Sequence, residues 1–302
     1  MIRRPAVLLF GVLLALAVPG VARGEDPPYV PWPEFLPALG GKYEPTSEDD
    51  CRAGRVQCVD KLIREMERRL ERAAGSCDHD AIFELSYLRT TQEYRRASTE
   101  PGFFEDPTFV NHQDIVFAAA YFYAYETYHS GARSATPGAW RIAFDAAERR
   151  ELPAFGNLLL GINAHVQNDL PFALEAIGMV KPDSSSRKTD HDRVNRFLNR
   201  VTDGLIAEIA RRFDPTIDDT DLPTAIDELL TFQMIPTWRE VAWRNAERLA
   251  AAPTPWARAL VAADIEAYAA TQALLLSRTT AYPLWEDSDQ RDAYCAQHHD
   301  AG

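Results

Sequence analysis

Apolar residues recur along this chain at intervals of three and four, and no stretch sustains the alternation of a half-buried strand. Over residues 55–74, Cys58, Leu62, Met66 and Leu70 fall one turn apart, with Arg and Glu on the opposite face. That spacing predicts an amphipathic helix, ended by Gly75, whose charges read as solvated i,i+4 pairs. Asp78 can cap a second helix to about residue 96, with Ile82, Phe83, Leu85, Tyr87 and Leu88 inward. Glu100-Pro101-Gly102 breaks the chain. Asp106-Pro107 is then an N-cap followed by proline at the first helical position. The helix it opens, to about residue 129, is apolar over most of its girth, which marks it as central. Asp114 lies near its start, where the helix dipole favours a carboxylate without further reason.

Thr136-Pro137 opens a shorter helix with Trp140 and Phe144, and Leu152-Pro153 opens the next, which Gly178 closes. A polar loop over 181–188 precedes a helix over 189–212, along which Asp192, Asn195, Asn199 and Asp203 form a polar stripe. Thr189 with Asp192 reads as a variant capping box, which is reason enough for that aspartate. An acidic loop over 213–222 and a short helix over 224–233 follow. Thr237-Trp238-Arg239-Glu240 is a full capping box opening another helix, and Thr254-Pro255 opens the last long one, to about residue 277. Residues 284–302 read as a tail ending in His298-His299-Asp300. The expected architecture is all-α: one domain over 51–283, with about eight or nine helices around a central apolar helix pair. No internal repeat, dinucleotide fingerprint, phosphate loop, nucleophile elbow or H-E-x-x-H motif is present.

Residues 1–24 fall outside this pattern. Arg3 and Arg4, an apolar run over 6–18 and Ala22-Arg23-Gly24 make a secretory signal peptide, with Glu25 expected as the new N-terminus. The chain is therefore expected to be exported, periplasmic or extracellular, with no other stretch apolar enough to span a membrane. Residues 25–50 carry six prolines, with Tyr29, Trp32 and Phe35 as aromatic anchors, and read as an extended arm laid over the body. Cys51, Cys58, Cys77 and Cys295 all lie beyond the signal peptide; an even number in an exported chain points to two disulfides. Three pairings are open; Cys51–Cys58 with Cys77–Cys295 is favoured, since the second ties the tail to the start of the core. The formal charge is −13, and losing the three leader arginines makes the mature chain more negative still. Polyanions would be repelled, so nucleic acid and anionic membrane are poor partners, and no specific partner is legible.

Chemistry concentrates in Gly161-Ile162-Asn163-Ala164-His165-Val166-Gln167-Asn168-Asp169-Leu170, polar residues set directly after the apolar run 155–160. His165 and Asp169, four apart, share a helix face. Gly161 lets a backbone or ligand approach, and Pro171 should kink the helix and free a carbonyl near Gln167. Either Asp169 orients His165 in a buried clip, or the two are metal ligands or an acid–base pair.

Several spaced motifs resemble an uncharacterised, mostly bacterial all-α family catalogued as a domain of unknown function. They are Tyr87-Leu88 with Thr91, Phe103-Phe104-x-Asp106-Pro107, Asp114 with Phe117-Ala118 and Tyr121, then Trp140, then the signature from Gly161 to Leu170. Asp192-x-Val194-Asn195 and Arg239-Glu240-x-Ala242-Trp243 complete them. The resemblance covers about residues 78–277 and implies an all-α fold without assigning a reaction. H-x-x-x-D followed by proline is also similar to a segment of the zinc-dependent phospholipases C, where both residues bind zinc. In that family the amino terminus of a mature tryptophan joins the metal cluster, where this chain is expected to start at Glu25.

Two functions follow. In the first, an exported metal-dependent hydrolase, His165 and Asp169 bind a divalent metal such as zinc, with Asp114, Asp192 or His191 completing the site. Asn163 and Asn195 then orient a polarised oxygen, and Arg239 holds an anionic group. In the second, a non-catalytic envelope or binding protein, the same residues form one buried polar network across three helices, with Arg239 paired to Asp169 or Asp192.

Overall fold

The computed structural model describes residues 42–218, 224–283 and 286–301; for 218 and 224–233 it describes only the backbone. The expected signal peptide, the expected arm up to residue 41 and the end of the expected acidic loop lie outside the described residues. The helices are α1 Val56–Gly75, α2 Ala81–Ala97, α3 Pro107–His129, α4 Gly138–Glu148, α5 Ala154–Asn163, α6 Leu170–Ile177, α7 Lys188–Arg212, α8 Thr224–Ala250, α9 Pro255–Thr279 and α10 Asp289–His298. A π-helical turn, Ala164–Asp169, joins α5 to α6 without a break, so the signature segment is one rod. No strand forms among the described residues; Val180 and Ser186 make an isolated antiparallel bridge. The chain is all-α and forms a single domain.

Local chemistry accounts for most element boundaries. The Asp106 carboxylate accepts the Phe109 N–H at 3.1 Å and caps α3; Thr254 Oγ1 accepts the Ala257 N–H at 3.1 Å and caps α9. In α1 the buried positions include Cys58, Leu62, Met66 and Leu70, the predicted stripe. The rod α5–α6 is the axis of the molecule: α2, α3, α4, α8 and α9 all pack on it. A β-carbon at Gly161 would lie 2.3 Å from Cδ2 of Phe83 and 2.9 Å from its Cβ. Glycine is what lets α2 lie this close to the rod, and the group that approaches it is the Phe83 side chain.

Four elements depart from the sequence pattern. At Pro171, where a kink is expected, the backbone widens by one residue, and the Leu170 N–H reaches the His165 carbonyl five positions back. The π turn thus takes up the irregularity that proline introduces. Thr237 does not start a helix: α8 runs through Pro236 from Thr224 to Ala250. Trp238, Ala242, Trp243 and Ala246 pack on Val166, Leu170 and Leu174 of the rod, and this packing outweighs the hydrogen bond that proline removes. The tail forms α10, held to the core by the Cys77–Cys295 disulfide and by His79 Nε2, 3.0 Å from the Asp292 carboxylate. His298 and His299 each turn a ring nitrogen to a carbonyl of this helix. Finally, α9 is long and apolar enough to cross a membrane by length and composition, against the expectation that no mature segment is. One of its faces packs on α4, α8 and the rod, and the other exposes Trp256, Leu260, Tyr268, Leu274 and Leu275.

Both favoured disulfides, Cys51–Cys58 and Cys77–Cys295, are present.

Candidate functional site

The π turn buries His165 and Asp169 completely within the fold. His165 Nδ1 lies 2.9 Å from Asp169 Oδ2, the indole N–H of Trp140 donates to the same oxygen at 2.8 Å, and the Asn168 amide donates to Oδ1 at 2.8 Å. A carboxylate that accepts these bonds places the imidazole hydrogen on Nδ1, so Nε2 is the acceptor nitrogen. The ring is stacked on Phe117, centroids 3.5 Å apart and planes at 8°, with Tyr87 edge-on at 4.5 Å. Burial lowers the His165 pKa, the Asp169 carboxylate opposes this, and burial prevails. The imidazole is thus a neutral ring held in an aromatic slot. Asp169 fixes its tautomer from behind, as in the base and orienter of an acid–base pair.

The other predicted site residues divide into groups. Asn163 faces α9, giving its amide to the Ala269 carbonyl at 3.0 Å and taking that of Gln167 at 2.7 Å, so it fastens two helices together. Asn195 accepts from Arg239 Nε at 2.9 Å, and Arg239 Nη2 donates to the His191 carbonyl at 2.7 Å. His191 Nε2 in turn lies 3.1 Å from the Arg239 carbonyl. Burial pulls the guanidinium pKa down to about 10 and, aided by the Arg239 charge, holds His191 neutral. Asp192 points away, its side chain 52% exposed and ion-paired with Lys188 one turn back. Arg239 therefore bonds neither Asp169 nor Asp192, and the single network expected across three helices is two separate clusters. The expected metal set of His165, Asp169, Asp192 and Asp114 does not assemble. Among the described residues no three His, Cys, Asp or Glu side chains are grouped to hold an ion.

What the structure adds is a cavity of about 540 Å³ between α2, α3, the rod, α7 and the start of the second half of α8. Phe155, Leu158, Leu159 and Ile162 of the rod and Val194, Leu198 and Val201 of α7 form part of its apolar wall. His165, Asp114 and Arg239 line it, whereas Asp169, Asn163 and Asn195 stand behind the lining. Polar groups gather at the α2–α3 side. There Tyr87 Oη, Thr91 Oγ1, Asp114 Oδ2 and His165 Nε2 are each buried without a hydrogen-bond partner among the described residues. Sequence reasoning singled out His165 and Asp114 but gave Tyr87 and Thr91 no role. The available signal was their four-residue spacing, which puts both hydroxyls on one face of α2.

Asp114 is half-buried with its Oδ2 fully enclosed, and it differs from the buried acids. Glu84 accepts from the Tyr121 hydroxyl at 2.8 Å and Asp80 lies 3.1 Å from His129 Nε2. Asp114 has no such partner, and burial alone pushes its pKa up to about 8. The sign of the pH effect follows. A carboxyl whose folded pKa exceeds its unfolded value adds stability at low pH and loses it as pH rises toward that folded pKa. The melting temperature of Asp114→Asn relative to wild type should therefore rise between about pH 5 and about pH 8. Glu84 and Asp80 titrate in both proteins and cancel in the difference. A constant difference across that range would show that Asp114 has an ordinary pKa.

A family model, described as a family of unknown function (DUF5995), matches residues 59–279. The chain belongs to this family. The matched span runs from within α1 to the end of α9 and contains every described residue that lines the cavity; the Cys51–Cys58 bridge lies just before it, and Cys295 lies beyond it. No curated protein and no solved structure matches the chain.

Proposed function

We propose that this DUF5995 member is an exported binding protein for a small molecule with an apolar body and a polar head. The observation that carries this reading is the cavity of about 540 Å³. It is within the usual range of small-ligand sites, walled by aliphatic and aromatic side chains, with a few unpartnered polar atoms at one side. Those atoms are costly to bury unpaired, and a bound molecule that hydrogen-bonds them recovers that cost. The two disulfides support an oxidising, exported setting.

This reading is the binding alternative raised by the sequence, with the ligand placed in the cavity rather than on the signature motif. Metal-dependent hydrolysis at His165 and Asp169 draws less support. No third metal-ligating side chain joins them among the described residues. In this reading the dyad shapes one wall of the cavity.

The test is to fill the cavity. A polarity-sensitive naphthylamine probe should bind the wild-type protein saturably at one site. Leu198→Trp, which projects an indole into the cavity from α7, should weaken that binding by about tenfold or more, with the melting temperature little changed. Equal probe affinity in the two folded proteins would overturn the proposal.

A further inference from the structure

Among the described residues, Asp114 is the only carboxylate with a buried oxygen that no donor reaches. No cation among the described residues acts on Asp114. Arg239 is the single cationic side chain in the described lining of the cavity, and its Nε and Nη2 are held by Asn195 and by the His191 carbonyl. Aromatic rings stand near Asp114. Phe117 follows it on the same face of α3, and Tyr87 and Tyr94 of α2 line the same cavity and feel the Asp114 charge. The Tyr94 hydroxyl is already committed to Asn111 at 2.6 Å, so this ring offers its body rather than its polar tip.

The four unpartnered atoms share a property. Asp114 Oδ2 and His165 Nε2 can accept hydrogen bonds, and so can the hydroxyl oxygens of Tyr87 and Thr91. The hydroxyls of Tyr87 and Thr91 can also donate, but an ionised Asp114 and His165 Nε2 only accept, so a ligand head group that matches all four must bring donors. A carboxylate or phosphate brings none, and would place its charge beside Asp114. An alcohol brings one. An ammonium brings several donors and the missing positive charge, and aromatic faces attract it further. The formal charge of −13 for the whole chain also favours the approach of cations.

We propose, resting on the cavity-binding reading above, that the molecule held here is an organic cation: an ammonium paired with Asp114, ringed by Tyr87, Tyr94 and Phe117, with its apolar body along the α5–α7 wall. The ligand class is thus an alkyl- or aryl-amine rather than a fatty acid or a neutral lipid.

Calorimetric titration of the disulfide-bonded mature protein at about pH 9 decides the matter, using octylamine, octanol and octanoate; there Asp114, pushed up to about 8 by burial, is ionised while an alkylammonium keeps its proton. These probes share one chain and differ in head-group charge. Octylamine should bind about tenfold more tightly than octanol, as expected for a charge-assisted pair, with octanoate the weakest. In Asp114→Asn, the preference for octylamine over octanol should collapse to within about twofold. Octanol binding in that variant reports an intact cavity. Octanol or octanoate matching octylamine on the wild-type protein would overturn the cation assignment while leaving the cavity reading in place. An undiminished amine preference in Asp114→Asn would do the same. If the naphthylamine probe binds and none of the three octyl compounds does, the cation assignment again fails alone. If neither probe nor octyl compounds bind, both readings fall.

Discussion

Asp169→Ala is expected to lower the unfolding free energy by about 3 kcal/mol or more, because it removes the shared acceptor of several buried donors. Asp169 is fully buried and takes hydrogen bonds from Trp140 and Asn168 while facing His165 Nδ1. Alanine leaves those donors without an acceptor in the dry centre of the rod, each at roughly 1–3 kcal/mol. The effects are not additive, because the donors share one acceptor and can relax together. Denaturant unfolding with the disulfides intact gives the value. Asp169→Asn should lose less, since its amide oxygen still accepts. A loss below about 1 kcal/mol for alanine would show that Trp140 and His165 find other partners, and that Asp169 is held in place for a different reason.

The second large effect concerns the tail. Cys77 and Cys295 are 218 positions apart, against seven for Cys51 and Cys58. On the chain-entropy account, opening the longer loop costs about 5 kcal/mol and opening the shorter one about 2 kcal/mol. The double variant Cys77→Ser/Cys295→Ser should therefore unfold at a clearly lower urea concentration than Cys51→Ser/Cys58→Ser. The same variant should also lose hydrogen-exchange protection in α10. Beyond the disulfide, that helix is tied to the body mainly by polar contacts, such as those of Asp292 with His79 and Arg150. Equal urea midpoints for the two variants would mean that the tail is held by these contacts and that its bridge adds little.

The corrections to the sequence reading share a physical cause. Thr237-x-x-Glu240 is a local start signal, yet the helix runs through Pro236 because two tryptophans of α8 pack on the rod. Asp192 and His165 both fit a ligand list by residue type. Helix rotation sends one to solvent beside Lys188 and the other into an aromatic slot. Arg239 has carboxylates near it in the sequence pattern but bonds an amide and a carbonyl instead. In each case the local signal was real, and long-range packing decided which of its possible uses was realised.

The sequence by itself determined the class of the fold, the positions of most helices and the place of the signature motif on one of them. Periodicity, caps and breakers act within one or two turns, so they are written where they act. It also determined the favoured cysteine pairing, and that His165 and Asp169, four apart on one helix, face each other. Only the tertiary structure decided that Asp114, Tyr87, Thr91 and His165 border one cavity while Asn163, Asn195 and Asp192 do not. A cavity is the space left where helices distant in sequence fail to meet. Its walls come from residues more than a hundred positions apart, and the lack of a partner for Asp114 is a property of all of them together. No period within a single helix encodes that vacancy, because it depends on the distances and rotations between helices that packing alone sets.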